Sequence, residues 1–154
     1  MTSLFDLKTA LLAKHAQHVV FVHFPIALAI TAIAFEWVAA WKPGPRTAAL
    51  ATAAYLNLTA AAVMSVAAVA TGLLAWQWQL EGVPLRGALR LHALFGGASA
   101  GAIVLLWWQR FRQRDRLRGS PGWWYFALTV VAFVTITIAG HLGGFVSGVN
   151  TPGN

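Results

Sequence analysis

The stretch VVFVHFPIALAITAIAFEWVAAW, residues 19–41, carries a single formally charged side chain, Glu36. A helix needs about 20 apolar residues at a rise of 1.5 Å each to cross roughly 30 Å of hydrocarbon. This stretch meets that length and stops at Lys42-Pro43-Gly44-Pro45-Arg46, a charged turn rich in helix breakers. Three further runs of the same kind follow, from Ala48 to Trp78, from Gly87 to Trp108 and from Trp123 to about Val146. The connections are short, so consecutive helices must run antiparallel. The chain is therefore read as all-α, an integral-membrane four-helix up-down bundle.

Composition agrees. Of 154 residues, 58% are hydrophobic and only 10% are charged, against roughly 25% charged in an ordinary soluble domain. That is too little charge to cover a wet surface, which excludes a soluble globule. The absence of Cys excludes disulfides, thiolate metal sites and Cys-linked haem. The net charge of +7 does not point to nucleic acid, because the basic residues cluster between the apolar runs and form no helical face. All eight Trp (37, 41, 76, 78, 107, 108, 123 and 124) fall near run ends, as an aromatic belt requires.

Lys/Arg counts set the orientation. Lys42, Arg46, Arg110, Arg112, Arg114, Arg116 and Arg118 lie at one end, and Lys8, Lys14, Arg86 and Arg90 at the other. The positive-inside rule puts the richer end in the cytoplasm. The expectation is a multi-pass protein with both termini facing outward, to the periplasm or its equivalent. The Arg110–Arg118 stretch is expected to meet anionic headgroups. Residues 1–17 read as a short amphipathic interfacial helix. Ser3-Leu4-Phe5-Asp6 resembles a capping box, and Leu4, Leu7, Leu11 and Leu12 follow at helical spacing. This segment lacks the leading basic region and small-residue cleavage site of a secretory signal. Residues 18–150 form the four-span domain and 151–154 a tail.

The histidines are the candidate site, since an ionisable side chain in a span is costly. Counted from the Trp-marked cytoplasmic ends, His23, His92 and His141 lie about 27, 24 and 27 Å up their helices. Three helices thus bring a His to one level near the outer face. His15 and His18, at i and i+3, could chelate a metal between them or form a solvated helix face. A shared level suits a b-type haem, which needs axial His and no Cys. Small residues would make room for it. On the third run the face of His92 continues through Gly96 and Ser99, and Gly97 and Gly101 form a GxxxG motif. On the fourth run His141 is bracketed by Gly140, Gly143 and Gly144, with Thr137 one turn below. First and third helices of an up-down bundle are diagonal and parallel, which makes His23 and His92 the expected axial pair and His141 the alternate. Arg86 and Arg90 stand near that height for propionates. Three His also match a catalytic zinc set, although no carboxylate lies at their level to act as base.

Other polar positions read as structural. Pro25 either starts the first helix or lies within it and frees the carbonyl of Phe21. Glu36, near the inner end, is expected to pair with Lys42 or Arg46, and a proton or quinone role is the alternative. Asn57 is expected to bridge helices. Met64 lies too deep to reach the histidine level.

Several pieces together resemble a bacterial integral-membrane family known as domain of unknown function 2231. They are His23-Phe24-Pro25-Ile26-Ala27-Leu28, Ala70-Thr71-Gly72-Leu73-Leu74, Arg90-Leu91-His92-Ala93-Leu94 and His141-Leu142-Gly143-Gly144. The family's His-Pro pair ahead of the first span stands here as His18-Val19. The resemblance implies four spans and a membrane location, and no activity. The functional expectation therefore rests on the histidines. It is a subunit with one haem b near the outer face, passing electrons between a periplasmic partner and quinone or another subunit of a larger redox complex. The alternative is a cofactor-free structural or assembly subunit. Transport would need broken helices or a polar midplane, and the midspan positions are mostly Ala, Val and Leu.

Overall fold

The computed structural model describes residues 14–41, 44, 46–113 and 122–148. Four helices account for nearly all of them: α1 (Lys14–Trp41), α2 (Thr47–Gln79), α3 (Gly87–Arg112) and α4 (Trp123–Val146). All four are long and apolar enough to cross a membrane, and no strand occurs among the described residues. Most of the expected N-terminal interfacial helix, the Arg114–Arg118 part of the basic stretch and the tail lie outside the described residues. Residues 14–17 are the first turn of α1. Pro25 lies inside α1 and does not start it. The 33 residues of α2 exceed a bilayer's thickness, so this helix tilts or protrudes. Its end is pinned by the Trp76 indole, which donates to the Val83 carbonyl (2.9 Å).

The bundle is two helical hairpins. α1 packs most extensively on α2, and α3 on α4, while α2 meets α3 and α1 touches α4 only slightly. α1 and α3 are thus diagonal, as expected. The seams are built from alanine. Ala29, Ala32, Ala54, Ala61 and Ala132 are fully buried, with Leu58, Ile103, Leu106 and Ile136 filling between them. Hydrocarbon is as apolar as any side chain, so helices in a bilayer associate through close van der Waals contact, and small residues permit it.

The strongest polar contact crosses the diagonal. Glu36 of α1 and Arg110 of α3 are both 1% exposed. The Arg110 Nε donates to Glu36 Oε1 at 2.6 Å, and its Nη2 donates to Oε2. Tyr125 of α4 donates its hydroxyl to the same Oε1 (3.2 Å), and its ring lies 5.2 Å from the guanidinium carbon. Beside it, the Trp37 indole donates to Thr129 Oγ1 (3.0 Å), a second link from α1 to α4. Two expectations are corrected here. Glu36 pairs with Arg110 and not with Lys42 or Arg46, and Arg110 does not face headgroups. A carboxylate in a span must find a cation within the protein, and a bidentate guanidinium satisfies both of its oxygens. Asn57 also departs from expectation, since its amide donates to the Ala53 carbonyl of its own helix (2.8 Å).

Removing one member of a buried ion pair leaves the other charge uncompensated. Arg110→Ala is expected to destabilise the protein in detergent by about 3–5 kcal/mol. The Glu36→Leu/Arg110→Met double variant should recover most of that loss. Thermal unfolding followed by near-ultraviolet circular dichroism checks both.

Candidate histidine site

At the opposite end of the bundle, two imidazoles face each other. His18 of α1 and His92 of α3 have ring centres 6.3 Å apart, with planes at 79°. Each ring is held at Nδ1 by the other helix of its own hairpin. His18 Nδ1 lies 3.2 Å from Thr71 Oγ1 on α2. His92 Nδ1 lies 3.0 Å from the Ala139 carbonyl on α4. A carbonyl only accepts, so His92 donates to it from Nδ1.

Two glycines make the space. A Cβ on Gly72 would stand 2.9 Å from His18 Cε1, and one on Gly143 would stand 3.1 Å from His92 Cε1. All four helices therefore contribute: α1 and α3 the rings, α2 and α4 a polar anchor and a glycine each. One turn deeper than His92, Gly96 is partly buried, yet nothing lies within 4 Å of where its Cβ would be. Open space thus adjoins His92 on its own helix face.

The expected site residues are only partly assembled. His92 is in place, but its partner is His18 and not His23. His23 is exposed, and its Nδ1 donates to the Val19 carbonyl of its own helix (2.5 Å). His141 is exposed and stands edge-on to the Phe145 ring at 5.0 Å. Gly97 and Gly101 are exposed with open space beside them, so their GxxxG motif packs against none of the described helices. The Ser99 hydroxyl donates to Gly96 (2.9 Å) and that of exposed Thr137 to Phe133 (2.8 Å), both within their own helices. Arg86 and Arg90 are exposed. Among the described residues no three His, Cys, Asp or Glu side chains form a group able to hold a metal ion, so the three-His zinc set is not assembled.

The shift from His23 to His18 has a geometric cause. Depth counted from Trp41 and Trp108 assumes that these two residues lie level. The ion pair shows a different register, with Glu36 level with Arg110. His18 is eighteen residues from Glu36, and His92 is eighteen from Arg110. At 3.6 residues per turn this is five turns, about 27 Å, and it returns to the same helix face. Tyr125 and Gly143 on α4 repeat the interval, as do buried Ala54 and Gly72 on α2. His23, five residues from His18, is turned roughly 140° off that face. A search for polar pairs at whole-turn multiples of Glu36 and Arg110 would have found His18.

Together these features define a four-span membrane protein with an ion-paired layer at one end and a half-buried imidazole pair at the other. The chain belongs to the family described as predicted membrane protein (DUF2231), whose model matches residues 14–150. Searches of curated proteins and of solved structures return no match.

The two classes of glycine differ in what they tolerate. Gly72→Ala forces His18 off Thr71 and should cost about 1–3 kcal/mol, the usual range for overpacking. Gly97→Ala meets open space and should be neutral or stabilise by up to about 1 kcal/mol. Paired thermal unfolding curves in one detergent distinguish them.

Proposed function

We propose that this protein is a b-type cytochrome-like membrane subunit whose haem is held by His18 and His92. It would pass electrons between a partner at the outer face and quinone or another redox subunit of a larger complex. The positive-inside count supports placing the histidine end on the periplasmic side of a bacterial inner membrane. The observation that carries the reading is the 6.3 Å separation of the two rings on diagonal helices. Two imidazoles that each held one metal atom through a nitrogen at about 2.0–2.1 Å would have their rings at a comparable separation.

Two further features favour it. Histidine ligands characteristically donate their second ring N–H to a carbonyl or another acceptor, and His92 does so to Ala139. The open space beside Gly96 lies on the face of His92, where a flat ring needs room. When bound, haem b supplies reversible one-electron transfer. The chain's own residues orient the two imidazoles and keep the site within the bundle. The exposed positions of His23 and His141 give neither an axial role in this reading.

Visible spectra of the detergent-purified protein, supplied with haem, oxidised and then reduced with dithionite, test the proposal. Sharp reduced α and Soret bands are expected, with about one haem b per chain by pyridine haemochrome. His18→Ala and His92→Ala should each lose the haem, while His23→Ala retains it. A featureless spectrum from folded protein overturns the reading and leaves the cofactor-free structural or assembly subunit. Retention by both His18→Ala and His92→Ala overturns the ligand assignment.

A further inference from the structure

We propose that the ion-paired layer holds a binding site for one uncharged oxygen acceptor, contacted by Arg110 Nη1 and Trp107 Nε1. The layer has a surplus of donors. Arg110 Nε and the Tyr125 hydroxyl both donate to Glu36 Oε1, and Arg110 Nη2 donates to Oε2. The Trp37 indole occupies Thr129 Oγ1, whose own proton goes to the Phe126 carbonyl (2.6 Å). The side-chain acceptors of the layer are thus engaged, and two nitrogens are left over. Among the described residues, neither Arg110 Nη1 nor Trp107 Nε1 has a hydrogen-bond partner, and both atoms are closed to solvent. Guanidinium and indole nitrogens donate and do not accept, so each needs an oxygen. A buried donor left without one carries the full cost of its desolvation.

The two donors are placed to share one acceptor. Trp107 precedes Arg110 by three residues on α3, so both lie on one side of the helix, about 4.5 Å apart along its axis. The Trp107 ring packs against both buried clusters of the bundle and stacks on Phe111 (5.4 Å). Nη1 is the corner of the planar guanidinium that the bidentate pair leaves turned away from Glu36. Charge selects the ligand. Glu36 already neutralises Arg110, so an anion would bring an uncompensated charge into the span. An uncharged oxygen with two lone pairs accepts from both donors and adds none. Two sources supply that chemistry in a membrane, a buried water and the carbonyl of a lipid-soluble quinone. Water suits the closed surroundings. A quinone carbonyl would arrive from the lipid side past exposed Trp108, whose ring centre is 6.2 Å from that of Trp107. The site involves neither His18 nor His92, so it does not rest on the haem reading.

The experiment is a proton–nitrogen correlation spectrum of ¹⁵N-tryptophan-labelled protein in detergent micelles, with the Trp107 indole peak identified by its loss in Trp107→Phe. The Trp107 indole proton is expected downfield, in the hydrogen-bonded range. A cross-relaxation peak to the water resonance identifies water as the source. A shift on adding a short-chain ubiquinone, with quinone recovered in an organic extract of the purified protein, identifies the carbonyl. Arg110→Lys keeps a cation opposite Glu36 and removes Nη1. It is expected to move the Trp107 peak and abolish its water or quinone response, while the Trp37 peak, which reports the intact layer, stays in place. If the Trp37 peak moves as well, the wild-type responses decide alone. The absence of both a water cross-peak and a quinone response in wild type overturns the inference, as does a Trp107 peak unmoved by Arg110→Lys. Haem content enters none of these readouts, so the acceptor site and the haem reading fail separately.

Discussion

The buried bidentate pair between Glu36 and Arg110 is the constraint on which the rest of the arrangement depends. Apolar helices in hydrocarbon have little to fix their vertical register, because sliding one past another exchanges alanine for alanine at small cost. An ionised carboxylate and a guanidinium cannot slide in this way. Each must meet the other or remain as an uncompensated charge in a medium that penalises it heavily. The pair joins α1 to α3 across the bundle, and Tyr125 brings α4 into the same layer. Three of the four helices are thereby set level at one end.

That register places the other end. Five whole turns from this layer, the same faces of α1 and α3 carry His18 and His92, and the matching face of α4 carries Gly143. The polar cost at one end therefore has a consequence at the other, where two imidazoles from non-adjacent helices meet. The weak contact between α1 and α4 gains in importance too. Near the ion pair it is bridged by Glu36–Tyr125 and Trp37–Thr129. At the histidine end α1 and α4 meet through the His18–His92 pair, with His92 anchored on the Ala139 carbonyl.

Much of the fold was legible because span length and loop charge are local signals. The run from Gly87 and the run from Trp123 to Val146 start or end where the helices do, and α1 extends only a turn or so beyond its apolar run. The diagonal relation of α1 to α3 also followed from short loops. The site was less legible. His92 was singled out as a candidate, and the structure places it opposite His18, which was read as one of a pair with His15, on a helix face open to solvent or to a metal. Arg110 was grouped with the charged stretch that follows it. In both cases the residue sits at the margin of an apolar run, where one more turn of helix changes exposed into buried. Thr71 entered only as part of the stretch Ala70–Leu74, and nothing local places its hydroxyl beside His18.

The sequence by itself determined that this chain lives in a bilayer as four antiparallel helices, because composition, run length and turn chemistry act residue by residue and need no partner. It also determined which residues were available for chemistry, since so few polar groups lie in or near the spans. Which of these meet was decided by tertiary structure alone. Helix faces recur every 3.6 residues, so a single offset in register between two helices exchanges one histidine for another. The offset is set by a contact between residues 74 positions apart in the chain, and no local signal carries it.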